Sequence, residues 1–295
     1  MFQGIIPAII TPFQRTPSME IDIEGLRSNI EQLLTQGVHG IVPCGSTGES
    51  ATLNFQEHET VIEEVVSAVG SSTPVIAGTG SNNTYEALTL TKAAKKIGAD
   101  AALVISPYYN KPNRAGLVKH YTLLADTGLP IIVYNVPSRT GQNLPADLII
   151  ELAAHPNIVG VKEASGDLGQ MSQIIEGTRH LDREHPFCVL SGDDNLTLPL
   201  MALGGTGVIS VAANIEAARM VALYTAIQEG SLERAREIHY ELSPLFRAMF
   251  IDTNPVPVKK AMDLRGRAAG PLRLPLTELG DEETDRLQKV LSRYD

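Results

Sequence analysis

The sequence lacks tryptophan, has only two cysteines, and shows no excess of positive charge. It carries 24 Lys and Arg against 34 Asp and Glu, which gives a formal net charge of −10. Nucleic acids and anionic membranes are bound by basic surfaces, so this balance argues against both as partners. Cys44 and Cys188 stand far apart, with no CxxC pair and no histidine at metal-ligand spacing. A disulfide framework and a zinc site are therefore not expected.

Long apolar runs are also lacking. No run approaches the roughly 18 residues needed to span a bilayer. The amino-terminal MFQGIIPAIITPF has no basic start, and proline interrupts its apolar stretch, so it is typical of a strand rather than a signal peptide. We therefore expect a cytoplasmic protein. Its 295 residues, 43% of them hydrophobic, are enough for one large domain or two small ones.

Short apolar runs alternate with amphipathic helical patterns along most of the chain. The apolar runs lie at 4–11, 40–46, 74–80, 101–107, 130–136, 157–163, 187–193 and 205–211. The candidate helices between and after them lie at 23–37, 56–70, 84–98, 114–127, 146–154, 169–180, 195–203 and 215–229. Eight strand–helix units predict an α/β fold, the (β/α)8 TIM barrel. The alternative is an open doubly wound sheet, which would normally show a GxGxxG turn that is not found here.

The strand pattern stops after about residue 230. Three helical patterns follow, separated at Asn254-Pro255, at Pro257 and over 270–275. We expect a barrel catalytic domain over residues 1–229 and a C-terminal helical region over 230–295.

Polar side chains gather where the predicted strands end, which in such barrels is where the active site lies. These residues are Thr11, Ser46, Thr47, Glu49, Thr79, Tyr108, Tyr109, Asn110, Tyr134, Asn135, Lys162, Glu163, Ser191, Asp193, Asp194 and Ser210. Lys162 is the only lysine among them. Desolvation there would lower its pKa and favour a nucleophilic amine, which forms Schiff bases with carbonyl substrates. The alternative is a structural ion pair with Glu163 or Asp193.

Two neighbouring features could complete such a site. Tyr134 ends the adjacent strand, so its hydroxyl could transfer protons at the carbonyl carbon that the lysine attacks, or its ring could simply fill the core. Ser46-Thr47-Gly48 follows the second strand and could bind a carboxylate through hydroxyl and backbone N–H groups. Alternatively, Thr47 or Ser50 caps the following helix.

Six motifs resemble the dihydrodipicolinate synthase family of pyruvate-dependent class I aldolases. They are GSTGESATLN (45–54), PVIAGTG (74–80), SPYYNKP (106–112), YNVPSRTG (134–141), GVKEASGD (160–167) and LSGDDNLTLPLMALGGTGVISVAAN (190–214). The similarity runs from Phe2 to about residue 230 and continues through NPVPVK (254–259). The resemblance implies a homotetrameric lyase that condenses pyruvate with L-aspartate 4-semialdehyde, on the way to diaminopimelate and lysine. It also implies no metal and no cofactor beyond the covalent Schiff base on Lys162.

The resemblance further implies catalytic roles for matching residues. Lys162 would form the Schiff base with pyruvate, and Tyr134 would be the proton donor and acceptor. Ser46 and Tyr109 would complete a proton relay, with Tyr109 supplied by the adjacent subunit.

It implies binding roles as well. Thr47 would hold the pyruvate carboxylate, and Arg139 would order the site and meet the carboxylate of the semialdehyde. Ile209 and Gly192 would line the pocket.

Ser46 departs from the family pattern, because the synthase branch usually has threonine there. GSTGE is common in the N-acetylneuraminate lyase branch, so a sister aldolase acting on N-acetylneuraminate or a 2-keto-3-deoxy-sugar acid stays an alternative. Arg139 favours the synthase, because an arginine suits a second carboxylate. From another class, a non-catalytic keto-acid sensor is also open.

A second set of residues matches the family's lysine-binding positions. It comprises Ser50, Ala51, His58, Asn82, Glu86 and Tyr108. Phe55 stands where inhibited members often have histidine, so we expect weak, partial inhibition by lysine. Without the resemblance, Asn82 and Glu86 would be interpreted as the cap and first turn of a helix.

Overall fold

The computed structural model describes residues 2–294. Within that range the strands are β1 (Gly4–Pro7), β2 (Ile76–Gly78), β3 (Ala101–Ile105), β4 (Ile131–Asn135), β5 (Ile158–Glu163), β6 (Cys188–Ser191) and β7 (Gly207–Ser210). They form one parallel sheet in the order β1-β7-β6-β5-β4-β3-β2. The sheet is curled, so its two edge strands, β1 and β2, face a common gap.

Residues 41–42 fill the gap between those edges. Val42 pairs in parallel with Ala8, and Ile41 pairs with Val75. This segment stands where the second strand is predicted at 40–46, but it is only two residues long. Pro43 has no N–H to extend the ladder, and Cys44 adopts a φ of +54°, so regular pairing ends there. Eight segments therefore close a ring, as the predicted barrel requires.

Helices surround the ring within the described residues. They are α1 (Ile23–Thr35), α2 (Phe55–Val69), α3 (Thr84–Ile97), α4 (Arg114–Ala125), α5 (Pro137–Thr140), α6 (Ala146–Ala153), α7 (Leu168–Thr178), α8 (Thr197–Ala202), α9 (Ala213–Gln228), α10 (Leu232–Ala248), α11 (Val256–Leu264) and α12 (Asp281–Leu291), with 3-10 turns at Ser50–Thr52 and Asp194–Leu196. The short α5 after β4 was not predicted. No helix in residues 2–294 is long and apolar enough to cross a membrane.

Side-chain caps set the beginnings of several helices. Asn54 caps α2: its side chain accepts a hydrogen bond from the N–H of Glu57, whose carboxylate accepts one from the N–H of Asn54. Such a cap typically stabilises a helix by about 1 kcal/mol. The interpretation of Thr47 or Ser50 as the cap of this helix is therefore wrong. The residues between the bridging segment and Asn54 are free to form a separate turn.

Strand alternation decides which side chains enter the barrel. On β4, Ile131 and Val133 pack in the outer layer against the helices, whereas Ile132 and Tyr134 belong to the inner cluster. Tyr134 is in register with Lys162 on β5. Because successive residues of a strand point to opposite faces, Lys162 points into the barrel and Glu163, the next residue of β5, points outward.

The C-terminal region contains the three predicted helices, α10, α11 and α12. Helix α10 packs against α9, and α11 contacts both α9 and α12. Residues of α9 through α12 share one apolar cluster with the barrel's outer layer. The domain boundary near residue 229 stays a prediction.

Candidate active site

Lys162 lies at the mouth of the barrel, where its side chain is only 6% exposed. Its Nζ lies 4.3 Å from the centroid of the Tyr134 ring. Within residues 2–294 the amine forms no hydrogen bond and no ion pair. The structural ion pair with Glu163 or Asp193 is therefore not formed, and the amine is available to a ligand.

Burial has a direct consequence for the charge of this amine. Desolvation lowers the pKa of Lys162 to about 7; the positive charge of Arg139 adds to this effect and the negative charge of Asp194 opposes it. A large fraction of the amine is neutral at pH 7 as a result. A neutral amine is the form that attacks a carbonyl carbon.

Glu163 has a separate structural role on the outer face of the strand. Its carboxylate accepts hydrogen bonds from the side-chain amides of Asn135 and Gln170 and from the N–H of Ser165. These contacts tie β5 to β4 and to α7. They hold the strand end that carries Lys162.

Tyr134 places its hydroxyl in the same buried region. Burial raises the pKa of Tyr134, while Arg139 and a hydrogen bond with the Ser46 side chain oppose that shift. The phenol therefore stays protonated near neutral pH and can donate a proton. Sequence-predicted residues Lys162, Tyr134 and Ser46 thus converge.

The active-site turn, residues 45–49, carries Ser46 and Thr47. It is closed by hydrogen bonds from Gly48 N–H to the Gly45 carbonyl and from Glu49 N–H to the Ser46 carbonyl. Thr47 is buried, and its Oγ1 accepts a hydrogen bond of 3.0 Å from the side-chain amide of Asn254. The Thr47 hydroxyl proton therefore points away from Asn254 and is available to another acceptor.

Arg139 lies on α5, directly after the strand that carries Tyr134. Its Nη2 donates to the main-chain carbonyl of Asn254 at 2.9 Å. Asn254 therefore contacts two of the predicted binding residues, one through its side chain and the other through its backbone.

Gly192 and Ile209 occupy different depths. A Cβ atom at Gly192 would lie 2.5 Å from the Ala164 Cβ and 3.1 Å from the Lys162 Cε, so only glycine leaves room for the lysine. Gly192 borders the cavity, as predicted. Ile209 is fully buried in the inner cluster with Tyr134 and is not among the cavity-lining residues.

One cavity of about 1140 Å³ contains the predicted catalytic groups other than Tyr109. It is bordered by Ser46, Thr47, Tyr134, Arg139, Lys162 and Gly192, and also by Ser50, Ala51, His58, Glu86 and Tyr108 of the second predicted set. Among residues 2–294 there is no group of three or more His, Cys, Asp or Glu side chains placed to hold a metal ion.

Tyr109 is the predicted catalytic residue that the chain does not bring to its own cavity. Its side chain is 89% exposed, and its backbone has a φ of +69°. The preceding Tyr108 does border the cavity. Tyr109 is thus directed outward.

The lysine-binding prediction is only partly reflected in this geometry. Asn82 does not border the cavity; its carbonyl accepts a hydrogen bond from Asn110. The cap of α3 is Asn83, so the interpretation of Asn82 as that cap is wrong. Glu86 accepts hydrogen bonds from Ser81 and Asn83, one on each oxygen of its carboxylate.

Two polar residues near the site were given no role by sequence reasoning. Asn254 lies in the NPVPVK motif, which was matched as a whole. Asp194 follows β6, is buried, and accepts hydrogen bonds from Ser210 and from the N–H groups of Val211 and Ala212. Burial raises the pKa of Asp194 to about 6. The sequence signal that could have identified Asp194 is its position next to Asp193, just after the end of β6.

A closed parallel barrel with a single buried lysine among its strand ends defines the class: a (β/α)8-barrel enzyme whose site is built around an amine. The family follows from comparison with known sequences. The family model for the dihydrodipicolinate synthetase family matches residues 1–294, and the chain belongs to that family.

Relatives of known name match the chain over its whole length. The 4-hydroxy-tetrahydrodipicolinate synthase of Methanospirillum hungatei is 64% identical over 295 residues, and that of Methanoculleus marisnigri is 65% identical over 294 residues. In both comparisons the match covers 100% of this chain and 100% of the relative.

Solved structures confirm the predicted barrel with its C-terminal helices. A dihydrodipicolinate synthase crystal structure at 50% identity superposes with a TM-score of 0.94 and covers 99% of both chains. The enzyme from Aquifex aeolicus, 47% identical, also gives 0.94 and covers 99% of this chain and 98% of the other.

Other similar structures bear on ligands and assembly. The Acinetobacter baumannii enzyme, 40% identical with a TM-score of 0.95 and 99% coverage of both chains, was solved with pyruvate. The Cyanidioschyzon merolae enzyme, 39% identical with a TM-score of 0.94 and coverage of 99% and 98%, was solved with lysine bound. A monomeric variant, 40% identical with a TM-score of 0.95 and coverage of 99% and 96%, is also known.

Proposed function

We propose that the chain condenses pyruvate with L-aspartate 4-semialdehyde to form 4-hydroxy-tetrahydrodipicolinate, in the diaminopimelate and lysine pathway. Full-length relatives at 53–65% identity carry the name of this activity. The observation that carries the proposal is the unpaired, buried Lys162 amine, with its pKa lowered to about 7, beside Tyr134.

The first half of the reaction activates pyruvate. The neutral Lys162 amine attacks the ketone carbon, and the former carbonyl oxygen leaves as water once it has been protonated. Tyr134 lies against the amine and hydrogen-bonds Ser46, so these two hydroxyls can deliver and take up the protons that this step moves. The product is an iminium on Lys162.

The second half forms the carbon–carbon bond. Loss of a methyl proton converts the iminium to an enamine, whose carbon attacks the aldehyde of the semialdehyde. The amino group of that substrate then attacks the iminium carbon and displaces Lys162, which closes the ring. The balance is one water released and the lysine regenerated, so the amine needs no external reductant or oxidant.

The carboxylates of the two substrates have separate partners in this proposal. The Thr47 hydroxyl, whose oxygen already accepts from Asn254, can donate to the pyruvate carboxylate. Arg139 borders the same cavity, and its guanidinium suits the semialdehyde carboxylate. A sister aldolase acting on sugar acids would instead need hydroxyl-binding groups at that place. Serine at position 46 still supplies the relay hydroxyl.

Assembly and regulation belong to the same proposal. The outward direction of Tyr109 supports a relay completed by a neighbouring copy, in a cytoplasmic homotetramer. The lysine-bound relative supports weak lysine binding at the part of the cavity that includes His58 and Glu86.

The test is an assay of the purified chain with both substrates. Pyruvate should be consumed only when L-aspartate 4-semialdehyde is present, and Lys162→Ala should be inactive. A keto-acid sensor would consume no pyruvate. A sister aldolase would cleave N-acetylneuraminate or a 2-keto-3-deoxy-sugar acid faster than it condenses the semialdehyde.

A further inference from the structure

A buried ion pair joins the C-terminal region to the active-site turn. Lys259 of α11 and Glu49 have side chains only 2% and 1% exposed, and Nζ lies 2.7 Å from Oε1. A buried pair of this kind adds little net stability, because desolvation of the two charges offsets their attraction. Glu49 lies two residues after Thr47, in the turn that carries Ser46 and Thr47, and this position suggests a role other than stability.

All three N–H groups of the Lys259 ammonium have hydrogen-bond acceptors. Its ammonium donates to the carbonyls of Thr11 and Pro271 at 3.1 and 2.7 Å, as well as to Glu49. It also lies 4.4 Å from the centroid of the Phe13 ring. Because these carbonyl contacts fix the position of the Lys259 ammonium, the ammonium in turn fixes the position of the Glu49 carboxylate.

Glu49 is equally constrained at its backbone. Its φ of +53° lies in the left-handed region, which costs a non-glycine residue on the order of 1 kcal/mol or more and persists only where the surroundings enforce it. The second carboxylate oxygen accepts a hydrogen bond of 3.0 Å from the N–H of Arg273. The N–H of Glu49 closes the turn on the Ser46 carbonyl. A shift of Glu49 would therefore move Ser46.

The same C-terminal segment makes a second contact with the turn, five residues earlier in the chain. Asn254 donates to the Thr47 hydroxyl oxygen. Asn254 and Lys259 thus hold the two sides of the turn from one short stretch at the start of α11.

We propose that Glu49 and Lys259 form a positioning pair that fixes the active-site turn, so that Thr47 meets the pyruvate carboxylate. The pair acts through the turn and leaves the chemistry to Lys162 and Tyr134. This inference rests on the proposed function, because it assumes that pyruvate binds beside Thr47.

The test measures how much pyruvate is needed for half-maximal borohydride trapping, which reports binding and Schiff-base formation without the second substrate. Glu49→Gln keeps the side-chain shape and removes the charge. We expect the half-saturating pyruvate concentration to rise about tenfold or more, the scale of losing a hydrogen bond to a charged ligand. Glu64→Gln is the control: it removes the ion pair of Glu64 on α2 with Arg27 on α1, neither of which borders the cavity or contacts Lys259, and half-saturation should not change.

Glu49→Gln leaves Lys259 as a lone buried charge, so a second variant guards against loss of folding. Glu49→Gln combined with Lys259→Met removes both charges and should recover the thermal midpoint lost in the single variant. Its half-saturating concentration should stay raised, because the turn is still not held. Wild-type half-saturation in the folded double variant would overturn the inference and leave the pair a purely structural feature. Absence of trapping in the wild type would refute the proposed function instead.

Discussion

The pH dependence of kcat/KM for pyruvate follows from the buried position of Lys162. Burial lowers the pKa of its amine from 10.5 to about 7. At pH 7 about half of the amine is then neutral, against roughly 0.03% for a lysine with an ordinary pKa, a gain of about a thousandfold in the reactive form. We expect kcat/KM to rise about tenfold per pH unit below pH 7 and to level off above it.

Asp194→Asn perturbs this behaviour in a defined direction. The negative charge of Asp194 favours the protonated lysine and opposes the lowering of its pKa. Removing that charge should lower the pKa of Lys162 further and move the rising limb to lower pH by about 0.5–1 unit, equivalent to about 1 kcal/mol. Asparagine can still accept from the N–H groups of Val211 and Ala212 through its remaining oxygen.

The assay is initial-rate kinetics in pyruvate at saturating semialdehyde between pH 5.5 and 9.5, the range about the expected pKa. Asp193→Asn is the control: Asp193 accepts from the N–H of Asn195 and is not among the charges that shift the pKa of Lys162, so the rising limb should move less than in Asp194→Asn. The reasoning would be refuted if kcat/KM of the wild type rose only above pH 9, or if its rise moved to higher pH in Asp194→Asn.

Three further predictions follow from the same site. Tyr134→Phe should keep the fold and slow turnover by about 100-fold or more, as loss of a positioned proton-transfer group does; a variant within about threefold of wild type would return Tyr134 to a core-filling role. Mixed oligomers of inactive Lys162→Ala and inactive Tyr109→Phe chains should recover part of the activity, and no recovery in hybrids shown to form would contradict a shared site. Calorimetry should show that free lysine binds weakly, because Phe55 replaces a hydrogen-bonding partner at a cost of about 0.5–1.5 kcal/mol. Glu86→Ala should weaken this binding further; equal heats from both proteins, or none from either, would exclude regulation by lysine at this site.

Features that depend on local periodicity could be predicted from the sequence. Strand alternation alone places Lys162 and Glu163 on opposite faces of β5, and parallel pairing brings Tyr134 into register with Lys162. The eight-unit barrel follows from the same alternation. The second strand could be located but not its length, because the left-handed backbone of Cys44 has no strong sequence signal.

Features that depend on contacts across the chain could not be predicted. The hydrogen bond from Asn254 to Thr47 joins residues 207 positions apart, and that from Lys259 to Glu49 joins residues 210 apart. No periodicity connects such residues. The cap of α3, by contrast, is a local contact: the Asn83 side chain accepts a hydrogen bond from the N–H of Tyr85, one residue later than the cap predicted at Asn82.

The central claim is that Lys162 is the covalent nucleophile, and reductive trapping tests it most directly. The wild-type chain is incubated with pyruvate and sodium borohydride, digested, and mapped by mass spectrometry. We predict one reduced pyruvyl group per chain, located on Lys162, and no adduct in Lys162→Ala or in Lys162→Arg, whose guanidinium stays protonated. An adduct on another lysine, or one that persists in Lys162→Ala, would contradict the claim.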